Sequence, residues 1–190
     1  MDIFTAIMER RSCREFLTEP IGEEAIEKIL EAATWAPSPL NIQPWEFIVI
    51  TNNEMKDKIY SEADRCRKWG TEASGWKWLE KYKLEFLKTV PVIIAVIGDP
   101  KKTGLDMFQE EGGIGYQQAC AAATQNMLLA AYSLGLGSLW FTMFDKKAMR
   151  DLLGIAQEKT PMGLICLGKI SGEPPRTARK DYKEKTSFIN

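Results

Sequence analysis

Between Gly112 and Phe144 the sequence carries no charged side chain, although charged residues make up 27% of the whole. Gln117, Gln118, Gln125, Asn126 and many alanines dilute the hydrophobicity of that stretch. A membrane helix would hold more Leu, Ile, Val and Phe and fewer amides, so a helix buried on all sides is expected instead. In a chain of 190 residues, a helix without a solvent face is most simply covered by a second copy, which predicts an obligate homodimer. Ser133-Leu134-Gly135 should stop the helix, and Gly137 to Phe141 should form a strand after that glycine.

The other elements follow from period and punctuation. Ile3, Phe4, Ile7 and Met8 mark a short amphipathic helix over residues 2 to 10. Ala25, Ile26, Ile29, Leu30 and Ala33 mark a second, starting at Ile21-Gly22 and stopped by Pro37 and Pro39. Trp45 to Ile50 reads as a strand, with Asn53 suited to cap the next helix. From Glu54 to about Leu87 the chain reads as charged helix interrupted near Gly70 and Gly75, carrying Trp69, Trp76, Trp78, Tyr82 and Phe86. Those aromatics fit either a lid over a site or packing on the core. Val90 to Gly98 is an apolar run expected of a central strand, and Met162 to Ile170 of the last strand. Asp145 suits the N-cap of a helix over Lys146 to Leu153. Strands separated by helices imply a single α+β or α/β domain over residues 1 to 190 with helices covering a central sheet. The polar tail from residue 173 either dangles or wraps a partner.

Composition removes whole classes of chemistry. With no histidine, the chain cannot build Ser-His-Asp or Cys-His nucleophilic sites or histidine acid/base chemistry, and no metal site is expected. Cys13, Cys66, Cys120 and Cys166 are widely spaced and read as reduced structural thiols. Neither a phosphate-binding GxxxxGK[ST] loop nor GxGxxG is present. Lys plus Arg (25) and Asp plus Glu (26) nearly cancel, so no global field favours nucleic acid or an anionic membrane. The first residues mix acid and base without an apolar export core, which points to the cytoplasm. Any enzyme activity should therefore rest on a cofactor.

Two segments carry candidate chemistry. Arg10, Arg11 and Arg14, with Ser12 among them, offer forked donors matched to phosphate oxygens, although a solvated basic patch would look the same. Pro37, Ser38, Pro39, Asn41, Gln43 and Pro44 form a stiff loop that presents polar groups from a restrained backbone, and a capped helix end would look similar.

In this order, RRSxRxF (Arg10, Arg11, Ser12, Arg14, Phe16) and PSxxNxQPW (Pro37, Ser38, Asn41, Gln43, Pro44, Trp45) closely resemble the nitroreductase family. The small-residue helix running into Leu134-Gly135-Leu136-Gly137 and the basic Arg179-Lys180 extend the likeness along nearly the whole chain. The resemblance implies an α+β fold with a central, mostly antiparallel sheet flanked by helices, in an intertwined homodimer with two FMN sites at the interface and C-terminal tails exchanged. By motif position, Arg10, Arg11, Ser12 and Arg14 would hold the phosphate and ribityl chain or the pyrimidine edge, with Arg179 and Lys180 adding charge at the phosphate. Pro37, Ser38, Pro39 and Asn41 would come from the opposite subunit to touch the ring, and Leu139, Trp140, Phe141 and Thr142 would pass its N5 edge. Two departures stand out: Trp140-Phe141-Thr142-Met143 where the family often has glycine, and Asp181 where proline commonly follows the basic pair.

Such a protein would move hydride from NAD(P)H through the flavin to a nitroaromatic, quinone or similar small molecule by a ping-pong mechanism. Arg14, or alternatively Arg10, would stabilise the reduced ring. Trp69, Trp76 and Tyr82 are candidate walls of the substrate site. The competing readings are a flavin-storing or sensing protein, a relative with dehalogenating or flavin-degrading chemistry, and a basic surface for an acidic protein or RNA.

Overall fold

The computed structural model describes residues 2–104 and 112–189. Among the described residues four strands form one antiparallel sheet in the order β1-β2-β4-β3: β1 Trp45–Ile50, β2 Val92–Gly98, β3 Gly137–Phe141 and β4 Thr160–Gly168. β2 is buried at every residue, as its unbroken apolar run requires of a strand covered on both faces. Val92, Ile94 and Val96 meet α2 (Glu23–Thr34) and α6 (Gly115–Ser133) on one face. On the other, Ile93 and Ala95 meet α3 (Asn53–Ser74), α5 (Phe86–Thr89) and α7 (Lys146–Leu153). The result is three layers with the sheet in the middle.

Local signals explain most boundaries. The Asp145 side chain accepts from Ala148 N at 2.8 Å and opens α7. α6 ends where Gly135 turns to φ 75° and Leu136 N returns to Ala131 O at 2.9 Å. Gly98 is required for the approach of α6: a Cβ there would lie 2.7 Å from the Tyr116 ring. Buried Lys56 donates to Val90 O at 3.0 Å, tying α3 to the end of α5, and burial pushes its pKa down.

Several expectations need correction. Asn52 rather than Asn53 caps α3, accepting from Met55 N at 2.9 Å. Gly70 lies inside α3 without interrupting it, and only Gly75, at φ 67°, ends it; α4 (Lys77–Glu80) follows. β2 starts at Val92 because Val90 N closes α5 on Phe86 O and Pro91 has no N–H to give a ladder. β4 runs two residues earlier than the alternation suggests, and Ile170 instead bridges Phe16.

Two surfaces, an apolar one on α1 and an uncharged polar one on α6, do not face this chain's own core. On α1 (Ile3–Glu9) only Ala6 is buried, while Ile3, Phe4, Ile7 and Met8 are exposed. α6 buries one face only, so the helix expected to be enclosed on all sides keeps Gln117, Gln118, Gln125 and Ser133 exposed in the single chain. No described helix is long and apolar enough to cross a membrane.

Candidate functional site

The arginine segment is held as an additional strand-like edge. Cys13 N donates to Ser138 O at 2.9 Å, Leu17 N to Lys169 O at 2.9 Å and Ser171 N to Glu15 O at 3.1 Å, threading residues 12–17 past the start of β3 and the end of β4. Gly137 permits this approach: a Cβ there would lie 3.0 Å from Cys13 Sγ and 2.1 Å from an Ile170 methyl. Gly137 therefore sets how close the arginines come to the sheet.

Along this segment run three adjoining cavities. The first, of about 320 Å³, is walled by Arg10, Arg11, Tyr132, Ser138 and Arg176 together with Glu9 and Glu173, and Arg176 pairs with Glu9 at 2.7 Å. The second, of about 220 Å³, shares Cys13 and Ile170 with it and adds Ser12 and Arg14. The third, of about 610 Å³, shares Arg14 and Ser171 with the second and reaches Trp78 and Tyr82.

Inside the first cavity the polar groups are incompletely paired. Arg11 Nη1 donates to Met8 O at 2.5 Å and Arg10 O at 2.9 Å, but its buried Nε has no partner among the described residues. Ser138, 1% exposed, likewise has an unpaired hydroxyl. A buried donor left unmatched costs about 1–3 kcal/mol, so these two groups select for an acceptor-rich ligand. Burial holds the Arg10 pKa below its ordinary value, and the positive charges of Arg11 and Arg179 lower it further, against the opposing influence of Cys13. An anion shared among these guanidiniums would relieve that repulsion. Burial likewise raises the Cys13 thiol, which keeps it out of thiolate chemistry. Glu9 is taken up by Arg176, so Arg10, Arg11 and the Ser138 hydroxyl remain as the donor set, which fits a phosphate monoester such as that of FMN.

The remaining candidates separate into groups. Arg14 Nε donates to Tyr82 Oη at 3.0 Å and the guanidinium lies 5.5 Å from the ring centroid. Trp78 stands edge-on to Tyr82 at 6.1 Å and stacks on Trp76 at 6.0 Å, so Trp76 and Tyr82 belong to one aromatic row beside Arg14. Trp69 is exposed on α3 and joins no aromatic pair among the described residues. Leu139 and Phe141 turn their side chains into the core and lie opposite Cys166 and Leu164 in the ladder with β4. Trp140 is half-exposed and covers Gly163, and Thr142 is exposed with its carbonyl accepting from Phe144 N. Arg179 is near enough to Arg10 to affect it, whereas Lys180 is simply exposed. Ser138 and Arg176 were not foreseen; a lone hydroxyl after a glycine in the apolar GSLWF strand was the available signal for Ser138.

The proline loop is strained and self-braced. Leu40, Asn41 and Gln43 all have positive φ (50°, 53° and 46°), which costs roughly 1–2 kcal/mol for an ordinary residue. Gln43 N donates to Ser38 Oγ at 3.1 Å, and Gln43 Nε2 to Asn41 Oδ1 at 3.3 Å. The loop leads into β1, whose first residue pairs with Gly98, while the arginines sit beside Gly137 on the other edge strand and at the opposite end. Three strand spacings and one strand length separate these corners by about 25 Å. The two motifs therefore do not meet within one chain.

A profile of the Nitroreductase family matches residues 7–169. The chain belongs to the nitroreductase family. Among relatives of this nitroreductase-family chain, a protein of Archaeoglobus fulgidus with the provisional name NADH dehydrogenase/NAD(P)H nitroreductase is 36% identical, over 97% of this chain and 91% of its own length. The 5,6-dimethylbenzimidazole synthase of Rhodospirillum rubrum is 28% identical over 87% of this chain and 81% of its own. Iodotyrosine deiodinase, solved with FMN and 3-iodo-L-tyrosine, shares the fold with a TM-score of 0.81 at 22% identity, covering 95% of this chain and 96% of that one.

Proposed function

We propose that this chain is an FMN-dependent oxidoreductase that takes reducing equivalents from NAD(P)H and delivers them to an electron-poor small molecule, such as a nitroaromatic or a quinone. The observation that carries the reading is the pair of buried groups without a partner among the described residues, Arg11 Nε and Ser138 Oγ, beside Arg10, whose pKa is lowered by burial and by the charges of Arg11 and Arg179. Arg10, Arg11, Ser12 and Ser138 would hold the phosphate end of FMN, with Arg179 adding charge, and Arg14 would face the ring. FMN, once bound, supplies a ring that accepts hydride and passes electrons on. The protein's share is to hold it, set the Arg14 guanidinium beside it and offer a surface where donor and acceptor take turns.

The ring's other face calls for a second subunit. α6, about 28 Å long, starts beside Gly98 at the loop corner and ends at Tyr132 in the arginine cavity. A twofold axis through its middle exchanges those ends, so Pro37, Ser38, Pro39 and Asn41 of one copy would reach the arginine cluster of the other. The charge-free face of α6 and the exposed apolar residues of α1 supply the contact. The tail supports exchange as well: Phe188 and Ile189 are exposed, Thr186 is extended, and β1 has only β2 beside it among the described residues.

Purified protein should contain FMN, or take it up when supplied, and NADH or NADPH should bleach its visible flavin band without oxygen. Bound flavin that neither nucleotide reduces would favour a storage or sensing role. Protein that binds no FMN would refute the reading outright.

A further inference from the structure

Beyond Arg14 the groove widens into its largest compartment, of about 610 Å³, well within the range that encloses a small organic ligand. Its aromatic wall is preorganised. Trp78 is braced by the stacked Trp76 behind it, and Tyr82 is held by the Arg14 hydrogen bond. Trp76 and Trp78 nonetheless remain 58% and 55% exposed, so their ring faces are not spent on the core. Buried Phe86 packs edge-on against Phe141 and closes the floor. An open groove with this aromatic wall suits a planar ring.

The charges lining the compartment are Arg14, Lys81 and Lys83 against Glu15 and Glu85. Arg14 is occupied with Tyr82. Among the described residues, neither Lys81 nor Lys83 forms an ion pair, whereas Lys58, Lys68 and Lys88 of the flanking helices each have a carboxylate partner. Two ammonium groups without an ion pair, in a compartment that also holds Trp78, suit a ring bearing an acid group even with Glu15 and Glu85 on the same wall.

We propose that this compartment selects planar aromatic acids, Lys81 and Lys83 binding the anionic substituent while Trp78 stacks on the ring. This deepens, and rests on, the reading of the adjoining groove as a flavin site: where the ring also carries a nitro group, that group would take two electrons and two protons from reduced flavin and lose water to become nitroso, with the acid group directed away from Arg14. The lysines act in selection and the redox chemistry needs nothing further from them.

The test compares 4-nitrobenzoate with neutral 4-nitrobenzyl alcohol. Binding to the protein is followed by quenching of tryptophan fluorescence, with and without FMN, and turnover by NADH consumption under excess nucleotide. The acid should bind at least tenfold more tightly than the alcohol and have the higher kcat/KM through a lower KM. In the Lys81→Ala/Lys83→Ala double variant, whose changes lie outside the core, that preference should fall below twofold; Trp78→Ala should weaken both ligands. Equal binding of acid and alcohol by an FMN-loaded, NADH-reducible protein overturns the inference and leaves the proposed function standing. A preference that survives the double substitution also overturns it. Failure to take up FMN refutes the proposed function instead, while the quenching titration without FMN still reads the anion preference.

Discussion

Ser138→Ala should make the ligand-free protein more stable and its grip on FMN weaker. The Ser138 side chain is almost fully enclosed at 1% exposure and its hydroxyl has no partner among the described residues. A buried hydroxyl in that state costs about 1–3 kcal/mol relative to one that is paired, and alanine removes the polar group while leaving almost the same volume. The strand contact survives, because it is the backbone carbonyl of Ser138 that accepts from Cys13 N. Taking the lower end, the apoprotein should gain about 1 kcal/mol, or about 2–4 °C in Tm for a chain of this size. Binding should lose one hydrogen bond to an anionic acceptor, about 1.5–3 kcal/mol, which is at least about tenfold in Kd. Thermal melts of flavin-free protein at fixed concentration and an FMN fluorescence titration read the two quantities. An apoprotein that melts lower, or an unchanged FMN affinity, would refute the reasoning, since a merely structural serine should lose stability and have no effect on the flavin.

Replacing Arg10 and Arg14 together by Ala should remove about 3–6 kcal/mol of charge-assisted contact and yield colourless protein; stoichiometric bound FMN in that variant would count against both roles. Gln125→Glu places a charge on the exposed face of α6, next to its middle, where twofold-related copies would bring two carboxylates together. Because the position is exposed, the chain should keep its fold and lose the dimer and its flavin together, as read by light scattering and absorbance; an intact yellow dimer rules out that interface. Glu62, accepting from Arg65 at 2.7 Å and from Asp145 N at 3.0 Å, has its pKa held below the usual carboxylate value chiefly by Arg65. Its contribution is therefore present above the unfolded value and lost as pH falls through the lower folded one. Glu62→Gln should cost about 1 kcal/mol at about pH 7, and the deficit should shrink towards about pH 3 in urea melts; a constant deficit would show the charge is irrelevant.

The local patterns in the chain fixed what depends on neighbours in sequence. Alternation or an apolar run placed β1 and the central β2, glycine ended α6, and Asp145 capped α7, because each signal acts within a few residues. The two motifs were legible too, since RRSxRxF and PSPLNIQPW specify chemistry by residue type. Where local cues competed, boundaries slipped: Asn52 and Asn53 both suit a cap, and alternation alone could not choose between a β4 ending at Gly168 or Ile170.

Only the tertiary structure decided what depends on strand order and on partners far along the chain. Arg14 and Tyr82 are 68 positions apart, and no periodicity foretells that they share a hydrogen bond. The unpaired Ser138 hydroxyl exists because residues 12–17 lie over the start of β3. The sheet order β1-β2-β4-β3 puts the two motifs at opposite corners. Sequence marks a face of α1 or α6 as lacking charge, but whether the same chain covers that face is set by packing, since burial free energy depends on the area removed from water and not on which molecule removes it.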